Sequence, residues 1–321
     1  MLGLAIGDAL GNTSESLLPH QRMARYGEIR DYLPNKYADG KRAGLPSDDT
    51  QMALWTLEQL IDDRGFIPGN LASRFCSSRI FGIGSTVREF VRNHKDRGLP
   101  WHASGPGSAG NGALMRIAPM VFPHLQQPTA DLWVDTALSA MTTHNDSASI
   151  GSCLAFIAML WALLAADASP AARWWLDEFV AVAQDVDAGT DYQARGGRYA
   201  THHGSFPAFL SKVVEDAHRR GLSTLEAANE WYSGAFLLET VPSVVYILMR
   251  YGSDPEEAIV RAVNDTRDND TVAAIVGAAV GALHGRRAFP QRWVDGLLGR
   301  TTEDDDGHLF DVLARARATF L

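Results

Sequence analysis

The stretch "NDTRDNDTVAAIVGAAVGALHG" occupies residues 264–285 and decides how the chain is read. Acids at Asp265, Asp268 and Asp270 run straight into an apolar segment of Val, Ala, Ile and Gly. The segment carries Ala273, Ala274, Gly277, Ala278, Gly281 and Ala282 at helical spacing. That pattern predicts a buried helix whose small face lets a second helix approach closely and hold the acidic mouth rigidly. The first turn of a helix leaves backbone N–H groups unpaired, and Asp or Thr oxygens satisfy them. A cap needs one acceptor, so the second carboxylate of "DNDT" (268–271) is surplus to capping.

A matching start lies far upstream. "SDDT" (47–50) opens a predicted helix at 50–62, where Met52, Ala53, Leu57, Leu60 and Ile61 form one stripe and Asp63, Arg64 and Gly65 end it. If the two starts converge, Asp48, Asp49, Asp268 and Asp270 bring together four negative charges, which two divalent cations would balance. An all-oxygen donor set suits Mg²⁺ or Mn²⁺ rather than Zn²⁺. Other metal motifs fail. An EF-hand starting at Asp268 would need Gly and Glu where Ala273 and Ala279 stand, and no HExxH occurs.

Helical periodicity also covers 129–143, 149–166, 172–184 and 224–239, and "DPEEAIVRAV" (254–263) has a capping Asp followed by Pro and acids. Alternating strand patterns are scarce, so the expected fold is all-α. With no linker or repeat, one domain over residues 1–321 is expected. The connections 12–47, 98–112 and 186–207 are rich in Gly, Pro, Asn and Ser, and irregular loops of that length are often functional.

The apolar run 153–166 is shorter than the ~20 residues of a membrane span and reads as a core helix. The N-terminus lacks a basic start, and Cys76 and Cys153 are the only cysteines. A cytoplasmic monomer with no membrane association is expected. The net charge of -9 opposes a broad basic surface, and the acidic tail at 302–310 reads as solvated.

"SGPGSAGNG" (104–112) contains G-x-G-x-x-G at Gly105, Gly107 and Gly110, but no strand precedes it and Pro119 soon stops the helix that follows. It reads either as a surface turn or as a loop whose amides cradle a pyrophosphate. His144, at the end of helix 129–143, reads by itself as a helix-terminus residue. His202 and His203 read as surface, with a mobile lid as the alternative.

Four landmarks, "GDALGNTSE" (7–15), "SDDT" (47–50), "GNGALMRIAP" (110–119) and "DNDT" (268–271), follow one another in an order that resembles the ADP-ribosylglycohydrolase family, the dinitrogenase-reductase-activating and ADP-ribosyl-acceptor hydrolases. "TTHND" (142–146) is similar to its Thr-His segment. The resemblance implies an all-α fold with a binuclear Mg²⁺ or Mn²⁺ site at helix N-termini. It implies cleavage between C1 of the distal ribose of ADP-ribose and an acceptor. The metal ligands would be Ser47, Asp48, Asp49, Asp268, Asp270 and Thr271, with Ser47 in place of the more usual Thr. Glu15 would be the catalytic acid or base at an oxocarbenium-like transition state. Asp8 is read as a structural acid near the helix end.

Ser108, Gly110, Asn111 and Gly112 would meet the diphosphate, and His144 the nucleotide. "FGIGST" (81–86) would form a wall near the distal ribose. Thr266 and Arg267 stand where the family usually has two glycines. Arg267 must turn outward or meet Asp265, a ligand carboxylate or a substrate phosphate, and is expected to shape access to the distal ribose. Family members commonly carry residues before the segment matching "GLAIGDALG", so either the first helix is short or Met1 is not the natural start.

The expected substrate is an ADP-ribosylated protein, with a nucleic-acid acceptor left open. Two other readings compete. A binuclear phosphoesterase is opposed by the lack of a metal-binding His cluster. An inactive ADP-ribose-binding relative is opposed by the intact acids and kept open by Thr266 and Arg267.

Overall fold

The computed structural model describes residues 1–126 and 129–321. The small-residue helix spans Asn269–His284, and the helix laid on it is the N-terminal one, Leu2–Gly11. The two run antiparallel with their backbones in contact. A Cβ on Gly3 would sit 2.0 Å from the Gly277 carbonyl oxygen, and one on Gly7 would sit 2.0 Å from that of Ala273. A Cβ on Gly11 would reach the Asp270 Cα at 2.5 Å. Glycines four residues apart therefore make a flat face on one helix, and the Ala/Gly stripe makes its complement on the other. This register brings the C-terminal end of the first helix to the acidic mouth of the second.

The remaining elements wrap this pair. Helix Asp48–Asp63 starts at the capping Ser47 and ends at Arg64 in the left-handed region (φ 54°). Asp146 caps helix Ser147–Leu164 by accepting from the amides of Ala148 and Ser149. That apolar helix is long enough to cross a membrane by composition, but it packs against Asp131–Thr143, Ala172–Asp185 and Asn269–His284. Helix Pro255–Asp265 has its expected Asp254 cap. The main core runs from Leu4 to Phe320, so both ends of the chain contribute to it. The fold is all-α, and among the described residues the only sheet is the two-residue pair Tyr192–Gln193 and His203–Gly204.

Two expectations are corrected. The connection 12–47 contains a helix, Pro19–Tyr26, whose buried residues are only Pro19 and Arg22. With so little apolar surface it has no periodic stripe to read. The predicted helix 224–239 is two helices, Thr224–Glu230 and Leu237–Tyr251. Between them Tyr232 and Ser233 take positive φ values of 79° and 46°. The chain there pairs with another segment instead of continuing its own helix: Asn111 N–H donates to Ala235 O (3.2 Å), and Leu237 N–H donates to Ala109 O (2.9 Å).

Gly7→Ala tests the helix contact. Alanine is the better helix former by about 1 kcal/mol, yet the forced separation should lower stability by about 1–3 kcal/mol. Gly281→Ala, whose Cβ would meet the Phe289 ring at 3.3 Å and the Gly3 Cα at an ordinary 3.7 Å, should be neutral or mildly stabilising. Equal effects in urea denaturation would refute the backbone contact as the constraint.

Candidate metal centre and active site

The two acidic helix starts converge. Thr271 Oγ1 donates to Asp49 Oδ2 at 3.4 Å across 222 residues of sequence. Carboxylate oxygens of Asp8, Asp49 and Asp270 lie within 4.8 Å of one another, as do those of Glu15, Asp268 and Asp270. Asp270 belongs to both groups and joins them. Ser47 caps its helix and donates its hydroxyl to Asp49 Oδ2 at 3.0 Å.

Asp8 differs from the rest in having both of its oxygens already engaged. They accept from the backbone of Ser47 (2.9 Å), the backbone of Thr50 (3.1 Å), the Thr50 hydroxyl (2.5 Å) and the Asn12 amide (3.0 Å). Asp8 thus caps helix Asp48–Asp63 from outside and leaves Asp48 and Asp49 free of that task. Asp49 Oδ1 is buried and has no hydrogen-bond partner among the described residues. A buried carboxylate oxygen without a donor is costly unless a cation meets it.

The electrostatics agree. Burial, then the charge of Asp8, pushes Asp48 up to about 7. Burial also pushes Asp268 up to about 7, with Glu15 adding to the rise and the Asn111 amide opposing it. Asp49 and Asp270 are raised well above the usual carboxylate range, first by burial and then by neighbouring acids. Hard oxygens, crowded like charges and a donorless carboxylate together fit divalent cations. Glu15 is exposed as a residue, while its carboxylate reaches Asp268 and Asp270. Loss of water there, then the charge of Asp8, raises its pKa.

Buried polar groups hold this arrangement. Arg22 donates to the carbonyls of Val263 (2.7 Å), Asn264 (3.2 Å), Thr266 (3.0 Å) and Leu17 (2.9 Å). It ties the turn before "DNDT" to the segment after Glu15. Asn269 does the same with Gly11 O (3.0 Å) and the Ser14 hydroxyl (3.1 Å). Arg22 had no signal in the sequence, because its partners are backbone carbonyls.

The rim follows from the loops. Gly82, at φ 64°, faces Asp48: a Cβ there would lie 3.3 Å from Asp48 Oδ1. Segment 81–86 therefore borders the acids, and Thr86 bonds Ser108 across to the Gly-rich loop at 3.1 Å. Asn111 turns its amide to Asp268 Oδ2 (2.5 Å) and Thr240 Oγ1 (2.9 Å), so its side chain positions a metal-site acid. The His144 ring is buried under the loop, where a Cβ on Gly112 would lie 2.8 Å from its Cε1. Burial and then the Arg116 charge lower its pKa to about 3, which leaves it neutral.

Among the described residues Arg267 pairs with neither Asp265 nor a ligand carboxylate. Its guanidinium lies 4.2 Å from the centre of the Tyr232 ring, and it forms no ion pair among the described residues. Asp265 instead accepts from Thr224 at 2.5 Å and faces Arg261 at 3.6 Å. Thr266 is buried and donates its hydroxyl to Ala262 O at 2.7 Å. The break at 231–236 supplies the Tyr232 ring and also Ser233 O, which accepts from the amides of Arg267 (3.2 Å) and Asp268 (3.0 Å). The loop carrying His202 and His203 is anchored nearby by Arg195, which grips the buried Glu239 with two bonds of 2.9 and 2.8 Å. His202 packs on Phe209 with ring centres 4.9 Å apart.

The sequence profile of the ADP-ribosylglycohydrolase family matches residues 1–319. An uncharacterized protein of Archaeoglobus fulgidus is 32% identical over 305 residues, which span 94% of this chain and 90% of that protein. The ADP-ribosyl-[dinitrogen reductase] glycohydrolase of Rhodospirillum rubrum is 26% identical over 92% of this chain and 88% of its own. The solved structure of an ADP-ribosylglycohydrolase-related protein complex superposes with a TM-score of 0.68 at 25% identity, covering 99% of this chain and 96% of that one. With the acidic helix starts brought together as the landmarks implied, the chain belongs to the ADP-ribosylglycohydrolase family and is a glycohydrolase of ADP-ribosyl bonds.

Proposed function

We propose that this enzyme releases ADP-ribose from an ADP-ribosylated protein and does so with two divalent cations, Mg²⁺ or Mn²⁺. The observation that carries the reading is the meeting of Asp49 and Thr271, with Asp270 shared between two carboxylate groups. Ser47, Asp48, Asp49, Asp268, Asp270 and Thr271 would hold the cations, and Asp8 would stay a buttress. When bound, the cations would anchor the vicinal hydroxyls of the distal ribose and stabilise charge on an attacking water.

Glu15 takes the proton from that water as it attacks C1 and returns it to the departing acceptor atom, so no net proton is consumed at the residue. Its raised pKa and its position against Asp268 and Asp270 suit both halves of the exchange. Ser108, Gly110, Asn111 and Gly112 would border the diphosphate, and the neutral His144 ring would meet the nucleotide. The Rhodospirillum rubrum relative is named for a protein substrate, which supports a protein acceptor here.

Free ADP-ribose should be released from an ADP-ribosylated arginine, serine or nucleic-acid panel with Mg²⁺ or Mn²⁺ and not with chelator. Turnover undiminished by thorough chelation would sink the metal reading. Glu15→Gln should lower kcat by roughly 10²–10⁴-fold with little change in KM, and full activity would remove Glu15 from the mechanism. Arg267→Gly should weaken ADP-ribose binding and alter the order of acceptors, and no change in either would end the role proposed for that side chain.

The pKa shifts predict a pH signature. Asp48 and Asp268 titrate near 7 when folded and near 4 when unfolded. Between those values the metal-free folded state binds more protons than the unfolded chain. The stability these groups contribute is complete below about pH 4 and is lost as pH rises through about 7. Cations replace the protons. The Tm difference between metal-loaded and chelator-treated protein should therefore be larger at pH 8 than at pH 5. A difference independent of pH would contradict the assignment.

A further inference from the structure

We infer that Arg116 and Thr143 are positioning residues that lock His144 in the tautomer with its proton on Nε2, so that the ring presents a fixed N–H donor to the Gly-rich loop. The inference starts from Arg116, which is fully buried and pairs with no carboxylate among the described residues. Its guanidinium donates to the Ser139 hydroxyl (3.1 Å), the Ser139 carbonyl (2.8 Å) and the Thr143 hydroxyl (2.8 Å), and it lies 4.8 Å from the centre of the Phe75 ring. Thr143 Oγ1 is also 3.0 Å from His144 Nδ1. All three residues are buried.

The direction of the second bond follows from counting protons. A guanidinium can only donate, so Thr143 Oγ1 is an acceptor toward Arg116. Its own proton needs a partner, because a buried hydroxyl proton without one is costly. In helices a Thr hydroxyl can donate to the carbonyl four residues back. Thr142 does this, reaching Leu138 O at 2.8 Å, but Thr143 makes no such bond. His144 Nδ1 is the remaining acceptor. A neutral imidazole accepting at Nδ1 carries its proton at Nε2. The opposite tautomer would place two donors on Thr143 Oγ1 and strand the hydroxyl proton.

The Nε2 edge faces the loop. Cβ atoms built on Gly110 and Gly112 would lie 3.4 and 3.1 Å from Nε2, and Nε2 has no hydrogen-bond partner among the described residues. The glycines place no side chain of their own against this edge. A donor with one orientation and no charge suits an oxygen acceptor of the ADP-ribose moiety. This last step rests on the proposed nucleotide contact of His144, whereas the tautomer does not.

The test separates the two. In a long-range ¹H–¹⁵N spectrum of protein labelled at histidine nitrogens, with His144 assigned by its loss in His144→Gln, Nε2 should be protonated and Nδ1 not. Thr143→Val should abolish that pattern, and Thr143→Ser should restore it. Thr143→Val should also raise KM about tenfold while leaving kcat within about twofold, the size of one lost hydrogen bond to ligand. A wild-type proton on Nδ1, or a Thr143→Val spectrum like wild type, would overturn the lock. The expected spectra with unchanged KM would establish the lock and refute the nucleotide contact. Arg116→Lys gives a second measure if it folds, and the Thr143 pair decides the matter if it does not.

Discussion

Everything at this site depends on two helices touching through their backbones. Gly3, Gly7 and Gly11 lie flat against Gly277, Ala273 and Asp270. No side chain fits between them, so the helices cannot slide or rotate without collision. The antiparallel register sets Asp8 and the Glu15 turn beside Asp270. A carboxylate cluster is pushed apart by its own charge and needs a rigid frame. Tight backbone packing supplies one without flexible side chains.

On that frame the acids divide into two kinds of work. Asp8 accepts the amides and hydroxyl that begin helix Asp48–Asp63. Asp49 keeps a buried oxygen that has no donor among the described residues. The difference arises from what each oxygen already touches, since residue type and burial are the same. Arg22 and Asn269 supply the corresponding restraint on the other side by binding backbone carbonyls of both acid-bearing turns. Arg22 stays charged although burial lowers its pKa to about 10.

The break at 231–236 shows where local reading fails. Residues 224–239 have helical composition, and the chain would gain its own helical bonds by continuing. It gains more here by pairing Ala235 with Asn111 and Leu237 with Ala109, while Ser233 O receives the amides of Arg267 and Asp268. Those partners are far away in sequence. The positive φ values at Tyr232 and Ser233 are compatible with the turn but unfavourable for such residues in isolation. The Tyr232 ring then gives Arg267 a surface to lie on, which answers where that cation goes.

By itself the sequence determined the all-α class, the starts of several helices and the chemical type of the site. Caps and apolar stripes act over a few residues, so Ser47 and Asp254 could be read directly. The small-residue stripe also announced close packing, though not its partner. Only the tertiary structure decided that helix Leu2–Gly11 is that partner, that "SDDT" meets "DNDT", and that Asn111 serves Asp268. It alone revealed Arg22, Arg116 and Glu239 as organising groups. Their roles depend on burial and on partners far along the chain, and no local propensity encodes either.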